Sequence, residues 1–339
     1  MPLSGKRICT GTAALLCLLF LVSCGEPALP YEAFPVGSRF ERGERSAWSP
    51  VLSPVVEETT GYLYIDNLDD TFVDGEVTVN HSDYEIPPQL LARLLDTMAE
   101  YSFKTSFYVI DLETRMSFGL DVDHAFSAAS TVKAPFSVFL TREQEKGTVT
   151  LGDLLEYQER FKVDGSGDTK NSIPGTLFTL KALFYRMLYN SDNVAYLMLV
   201  DHTGEEGFNE YLAEIECPDH VTRLNHWINI TPRNLARVWC DIWNMKDRSE
   251  YGKLLWEYLT TNQYNDLEVA LPEYAPNCAH KSGWNTRGYH ESGVVFGVRT
   301  YICVVMTETG YRNDCIYQTI RNLDNIMKDY DIWLKNRPA

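Results

Sequence analysis

The sequence predicts an α/β domain of the α+β kind, with helices packed around a single antiparallel sheet. Two strand pairs, and the distance between them, carry that reading. Ser106–Leu112 and Met116–Leu120 alternate in hydrophobicity across the short link Glu113-Thr-Arg115. Val294–Val298 and Tyr301–Met306 do the same around Arg299-Thr300, and a long block of helical spacing separates the two pairs. Neither pair can hide its apolar face alone, so strands from both chain ends must meet in one sheet.

The elements follow in order from the N-terminus. Lys6 and Arg7 precede an apolar run from Thr12 to Val22, which closes on Leu21-Val22-Ser23-Cys24. A basic start, a short greasy run and a small residue before the cut describe an export signal over residues 1–23. The run is too short to span a bilayer comfortably. The Leu-x-Ser-Cys end resembles a bacterial lipobox, which implies lipidation at Cys24. The protein is then expected to be exported and anchored on the extracytoplasmic face of the bacterial cell membrane. Residues 24–54 bear prolines and mixed charge without a period, and read as a tether. Residues 55–86 form a small acidic segment with β-like pieces at Tyr62–Ile65 and Val77–Val79; a hairpin and poor order both remain open.

The main domain is expected over residues 87–339. Leu91, Leu94, Leu95 and Met98 keep helical spacing behind Pro87 and Pro88. After Phe126 a helix runs through about Glu145 and stops at Gly147. Residues 151–160 and 178–201 are helical in pattern, with Val163-Asp-Gly-Ser-Gly-Asp168 as a loop between them. Thr231-Pro232 opens another helix, with proline in its first turn. A closing helix runs from about Ile316 to Leu334.

Composition narrows the function. The 339 residues are 45% hydrophobic and 12% aromatic, ample for a core. The formal charge of −17 becomes −19 once residues 1–23 are removed, with 28 basic side chains against 47 acidic. Such a surface argues against nucleic acid as a partner, because phosphates demand a basic face. Beyond Cys24 the cysteines are Cys217, Cys240, Cys278, Cys303 and Cys315, too few and too scattered for a disulfide framework. Cys240 and Cys303 lie in apolar runs and read as core thiols, while an oxidising compartment leaves room for one disulfide. Seven histidines show no HExxH, and Cys278-Ala-His280 is a lone pair of potential ligands, so no metal or cofactor is expected. Gly165-Ser-Gly167 lacks the following Lys-Ser/Thr of a phosphate loop and reads as a surface turn. Tyr185, Tyr189 and Trp227 read as core or groove lining.

Three short motifs carry chemistry. In Ser130-Thr-Val-Lys133 a serine and a lysine three apart share one helix face. Serine is a weak nucleophile that needs an adjacent base, and a lysine can serve if burial or a second cation lowers its pKa. The helix start also offers backbone N–H groups to a developing oxyanion. Taken alone, this pair more commonly marks a helix cap and a surface lysine. Ser191-Asp-Asn193 alone would be a polar turn, and Lys281-Ser-Gly283 a charged strand start.

In conjunction, S-x-x-K, S-D-N and K-[ST]-G are the set of the class A β-lactamases and penicillin-binding proteins. Residues 87–335 resemble that class A β-lactamase and DD-peptidase superfamily nearly end to end. Phe126-Ser-Ala-Ala-Ser-Thr-Val-Lys133, Ser191-Asp-Asn-Val-Ala195, Val221-Thr-Arg-Leu224, Ile230-Thr-Pro232 and His280-Lys-Ser-Gly283 carry the resemblance. It implies a three-layer sandwich, an antiparallel sheet of about five strands flanked by helices, plus an all-helical lobe, with the site between lobe and sheet. It also implies roles. Ser130 attacks the carbonyl of a β-lactam or a D-Ala-D-Ala-type wall peptide, and Lys133 takes its proton. Ser191 relays a proton to the departing nitrogen, and Lys281 keeps the site positive. Asn193 holds a substrate amide and Ser282 the substrate carboxylate. Gly283 belongs to the same motif, and the N–H groups of Ser130 and Trp284 form the oxyanion hole. Arg287 or Arg299 could add a carboxylate contact. A monomer is expected.

One departure matters. A class A β-lactamase carries an Ω-shaped loop whose glutamate drives water onto the acyl-enzyme, and that loop should follow Val221-Thr-Arg-Leu224. Here Asn225-His-Trp-Ile-Asn-Ile-Thr-Pro232 leads directly into the next helix, with Ile228 at the expected place of the glutamate. Glu214 and Glu216 lie before the segment and read as solvated. Acylation is therefore expected to be intact and deacylation slow, as in a penicillin-binding sensor rather than an efficient lactamase; a non-catalytic wall-binding lipoprotein is the remaining alternative.

Overall fold

The structure is a computed structural model and describes residues 68, 70–276 and 278–337. The export signal, Cys24, the tether and Tyr62–Ile65 lie outside the described residues. No helix among the described residues is long and apolar enough to cross a membrane.

The chain ends do meet in one sheet. Its segments are β1 (Thr78–Asn80), β2 (Thr105–Asp111), β3 (Ser117–Leu120), β8 (Ala279–His280), β9 (Gly283–Trp284), β10 (Tyr289–Phe296) and β11 (Thr300–Thr307). The order is β1-β3-β2-β11-β10-β8, with β9 also on β10, and every pairing is antiparallel. The expected five strands become seven segments for two reasons. Thr78–Asn80 adds an edge strand against Ser117–Gly119. The Lys281 region contributes two pieces in one register, His280 opposite Gly293 and Gly283 opposite His290.

Strand alternation divides the core. Phe107 and Val109 of β2 face α1 (Pro88–Glu100) and α9 (Asp314–Asn336), where Leu94, Met98, Ile316, Ile320 and Leu323 cover them. Tyr108 and Ile110 face the opposite way, into the larger core of the helical lobe. That lobe comprises α2 (Lys133–Lys146), α3 (Leu180–Tyr189), α4 (Asn193–Thr203), α5 (Glu206–Glu214), α6 (Pro232–Met245) and α7 (Glu250–Thr260), while the short α8 (Asp266–Ala270) lies by α9. Four small strands complete the set before β8: β4 (Phe126–Ser127) pairs with β7 (Asn229–Ile230), and β5 (Leu154–Glu156) with β6 (Leu177–Thr179). Helix α6 starts as its sequence dictates: Thr231 and Asn234 form a reciprocal capping box with Pro232 at the first turn. Leu235, Val238, Trp239 and Ile242 then bury one face, each apolar side chain contributing about 1.5–3 kcal/mol.

Two helical expectations are corrected. Residues 151–160 are not a helix: Asp153 accepts from the N–H of Thr150 at 2.8 Å and from its hydroxyl at 2.7 Å, closing a turn. The strand β5 follows, leaving Leu154 55% exposed, so the apolar spacing belonged to a hairpin. The 178–201 run divides into α3 and α4, because Ser191 takes a left-handed conformation, φ 56°. All five described cysteines are free thiols.

Candidate active site

Ser130 lies in a single 3-10 turn, Ala129–Val132, that feeds α2. Ala129 immediately before it has φ 47°, a conformation that costs a non-glycine residue about 1–3 kcal/mol. Surrounding bonds hold the turn in place. The Ala128 N–H donates to Ile228 O at 2.9 Å, and Thr131 Oγ1 donates to Ala128 O at 2.7 Å. From the sheet, Asn285 Nδ2 donates to Ser127 Oγ at 3.1 Å, and His290 Nε2 lies 2.8 Å from Ser127 O. Because His290 Nδ1 accepts from the Thr307 N–H at 3.3 Å, Nε2 carries the ring proton. Burial pushes this imidazole down to about 4, so it stays a neutral donor at physiological pH. His290 and Asn285 are positioning residues that no motif revealed; His290 sits opposite Gly283 in the sheet register.

Lys133 is wholly buried at the head of α2 and joins the three motifs. Its Nζ lies 3.0 Å from Ser130 Oγ, 2.7 Å from Asn193 Oδ1 and 3.1 Å from Ser191 Oγ, and against the Ser191 carbonyl. Lys281 Nζ donates to the same Ser191 hydroxyl at 3.0 Å. Burial, and then the nearby Lys281 charge, push Lys133 well below the ordinary lysine range. Burial also lowers Lys281, to about 8, against the opposing pull of Glu291 and Asp266.

The loop at 163–169 supports this cluster. Asp192 caps α4 through the Ala195 N–H at 2.9 Å, and its other oxygen accepts from the N–H groups of Asp168 and Thr169 at 3.0 and 2.9 Å. Asn193 Nδ2 donates to Asp164 O at 3.1 Å. Gly167, at φ 93°, packs so closely on Asp192 that a Cβ would lie 2.2 Å from its carboxyl carbon. The glycines of the expected surface turn therefore serve the Ser191-Asp-Asn193 motif.

The strand edge brings Gly283 against the nucleophile. A Cβ there would lie 2.6 Å from Thr131 N and 2.8 Å from Ser130 N. Trp284 stacks on Tyr289 at 5.5 Å and meets Tyr264 edge-on at 5.1 Å. Ser282 faces elsewhere: its hydroxyl donates to Glu291 Oε2 at 2.8 Å and to Tyr264 O at 3.1 Å. Glu291, 1% exposed, also accepts from the N–H groups of Ser292 and Asp266 and lies 3.5 Å from His280 Nδ1. This carboxylate ties β8, β10 and α8 together behind Lys281. Its signal in the sequence was a lone charge in an apolar strand, two residues before Gly293.

The other candidates lie apart. Arg299 binds Asp111 at 2.7 and 2.9 Å, at the far end of β10 from Trp284, and Arg287 occupies the turn after Trp284. Glu214 is paired with Arg142 and Glu216 with Arg237. Ile228 is 1% exposed, its side chain in the lobe core and its carbonyl on the Ser130 turn. Cys278 and His280 are both buried, and among the described residues no group of three potential ligands could hold a metal ion.

Fold and motifs together define a class, the serine β-lactamase and DD-peptidase superfamily. The model described as "Beta-lactamase enzyme family" matches residues 89–330, and the chain belongs to that family. Among solved structures, a β-lactamase from Sphaerobacter thermophilus shares 21% identity at TM-score 0.63, over 74% of this chain and 98% of that one. PBP-A shares 21% at TM-score 0.63, over 72% and 100%. A variant of the last common ancestor of Gram-negative class A β-lactamases shares 20% at TM-score 0.58, over 69% and 96%. At these identities the likeness concerns the fold. A comparison with curated proteins returned no match.

Proposed function

We propose that this protein is a serine hydrolase that forms an acyl-enzyme on Ser130 with β-lactams or D-Ala-D-Ala-type wall peptides and releases it slowly. The observation that carries this reading is the 3.0 Å contact between Ser130 Oγ and a fully buried Lys133 Nζ. A neutral lysine has two N–H donors, which suit Asn193 Oδ1 and the Ser191 carbonyl. Its lone pair then faces Ser130, and the 3.0 Å contact runs the other way, the hydroxyl donating as it attacks. Ser191 Oγ accepts from Lys281 Nζ at 3.0 Å, so its own proton is available to the departing nitrogen. The Ser130 and Trp284 N–H groups would hold the oxyanion, with Asn193 at the acyl side. Because Ser282 is committed to Glu291, the substrate carboxylate would rely on Lys281 or on a turn of the Ser282 hydroxyl.

Slow release follows from what surrounds the ester. Among the described residues no carboxylate hydrogen-bonds to Ser130, Lys133 or Ser191, and the Ile228 side chain is buried away from them. A mutant of PBP-A has been solved as an acyl-enzyme with penicillin G, which supports penicillin as the probe. Incubated with labelled penicillin G, the protein should gain the mass of one opened penicillin and keep it for many minutes, and Ser130→Ala should gain nothing. Rapid loss of the adduct would refute slow release. No adduct at all would favour a wall-binding module.

The Leu21-Val-Ser-Cys24 end supports export and lipidation, which would place the protein beside peptidoglycan, as a monomer on the outer face of the membrane. Cys24→Ser should move it from the membrane to the soluble fraction; unchanged fractionation would exclude the anchor.

A further inference from the structure

Lys281 holds its ammonium where water does not reach. The residue is 2% exposed, and its Nζ donates to the Ser191 hydroxyl at 3.0 Å and to the Ser282 carbonyl at 2.9 Å, both neutral acceptors. An ammonium buried in this way is costly unless an opposite charge lies near it.

Glu291 is the converse case. It is 1% exposed, and every hydrogen bond it makes is an accepted one: from Ser282 Oγ at 2.8 Å, from Asp266 N at 3.2 Å and from Ser292 N at 2.9 Å. Acceptor-only bonding is that of an ionised carboxylate. His280 Nδ1 lies 3.5 Å away and makes no hydrogen bond with it. The sheet brings this carboxylate to the lysine. His280 opposite Gly293 and Gly283 opposite His290 set a register that places Ser282 across from Glu291 and Lys281 across from Ser292. Lys281 N donating to Ser292 O at 2.8 Å confirms the second pair. Ser282 therefore links the two charges: its carbonyl holds the lysine and its hydroxyl the carboxylate.

The other titratable groups around this pair are engaged or neutral. Lys133 of α2 reaches the same Ser191 hydroxyl, and Asp192 at the head of α4 acts on Lys133. Asp266 of α8 is a second buried carboxylate, but its oxygens accept from the hydroxyls of Tyr289, at 2.9 Å, and of Tyr317 on α9, at 2.7 Å. Burial pushes both phenols up, and the Cys278 and Cys303 thiols as well, so none of them ionises near neutral pH. Burial lowers Lys281 to about 8, and Glu291, ahead of Asp266, pulls in the opposite direction.

We propose that Glu291 is a positioning residue of the acyl-transfer site, the buried counter-charge that keeps Lys281 cationic beside Ser191. It touches neither the substrate nor the reacting atoms and acts through the lysine alone.

The kinetic test rests on the Ser130 acyl-transfer reading. Acylation by penicillin G would be followed across pH in the wild type, Glu291→Gln and Glu291→Asp. Glutamine keeps the size and loses the charge, so Lys281 should discharge earlier and the alkaline limb should move about one pH unit toward acid. The wild-type advantage should then be near one at about pH 6 and about fivefold at about pH 8. Glu291→Asp keeps the charge and should keep the limb. A loss equal at every pH, or a limb that stays in place in Glu291→Gln, would overturn the role.

A second test needs no substrate. Urea unfolding would compare Glu291→Gln, Lys281→Met and the double variant. Each single substitution leaves a buried charge without its opposite, so the double should lose less stability than the two singles summed. A single that fails to fold beside a double that folds supports the pair. Additive losses, or a double that fails to fold, overturn it. If penicillin never modifies Ser130, the acyl-transfer reading fails, and the order of stabilities still decides whether Glu291 is the counter-charge of Lys281.

Discussion

Lys133→Ala should slow acylation of Ser130 by penicillin about a hundred- to ten-thousandfold, the usual worth of a general base. The same substitution should remove the acidic limb of the pH profile. In the proposed mechanism Lys133 acts while neutral, and burial, then the Lys281 charge, lower its pKa well below the ordinary lysine range. Lowering the pH through its depressed pKa protonates it, so acylation falls on the acid side. Raising the pH through about 8 discharges Lys281, so acylation falls on the alkaline side as well, where the substrate carboxylate loses its cation. The expected profile of kcat/KM, or of the second-order acylation rate, is therefore a bell. A variant that keeps the acidic limb would show that a different group takes the Ser130 proton. Arginine at 133 should not restore the rate, since it retains its charge.

Gly283→Ala should be nearly as damaging, although it adds one methyl group. The new carbon would sit 2.6–3.0 Å from Thr131 N, Ser130 N and Ala128 O, all of them backbone atoms without a soft side chain to yield. Either β9 moves off the nucleophile turn or the turn moves off β9, and both separate the Ser130 and Trp284 N–H groups. Acylation should drop at least a hundredfold, in line with the loss of an oxyanion donor. Stability should fall by about 1–3 kcal/mol, the usual range for overpacking, as read from urea unfolding. A Gly283→Ala protein that acylates at the wild-type rate would remove the β9 edge from the mechanism.

Much of the site was legible because its chemistry is written in short contiguous runs. Ser130 and Lys133 share a helix turn, Ser191-Asp-Asn193 fills a helix break, and Lys281-Ser-Gly283 lies on one strand edge. The strand pairs were equally plain, since alternation over five to seven residues has few other meanings. What escaped depended on partners distant in the chain. Thr78–Asn80 is a strand only because Ser117–Gly119 offers it an edge. Residues 151–160 carry leucines at helical spacing, yet the Asp153 side chain prefers to close a turn. The Ser282 hydroxyl points to Glu291, a contact between two strands that no spacing announces. His290 supports the nucleophile turn through a single carbonyl, so it leaves no motif behind. That Ile228 lacks a carboxylate is plain in the sequence, whereas the burial of its side chain follows from the β4–β7 pairing beside it.

The sheet order has a consequence for biogenesis. Ser130 and Lys133 come from one part of the chain, Lys281 and Gly283 from another, and the sheet joins them only where β11 pairs with β2. Contacts this far apart in sequence close late, because the loop entropy must be met before they form. A chain still emerging, or one cut before β10, would hold its serine without the second lysine and without the glycine edge. Such a chain should not react. Covalent labelling of Ser130 would therefore report completed folding, residue for residue more stringently than helix content does.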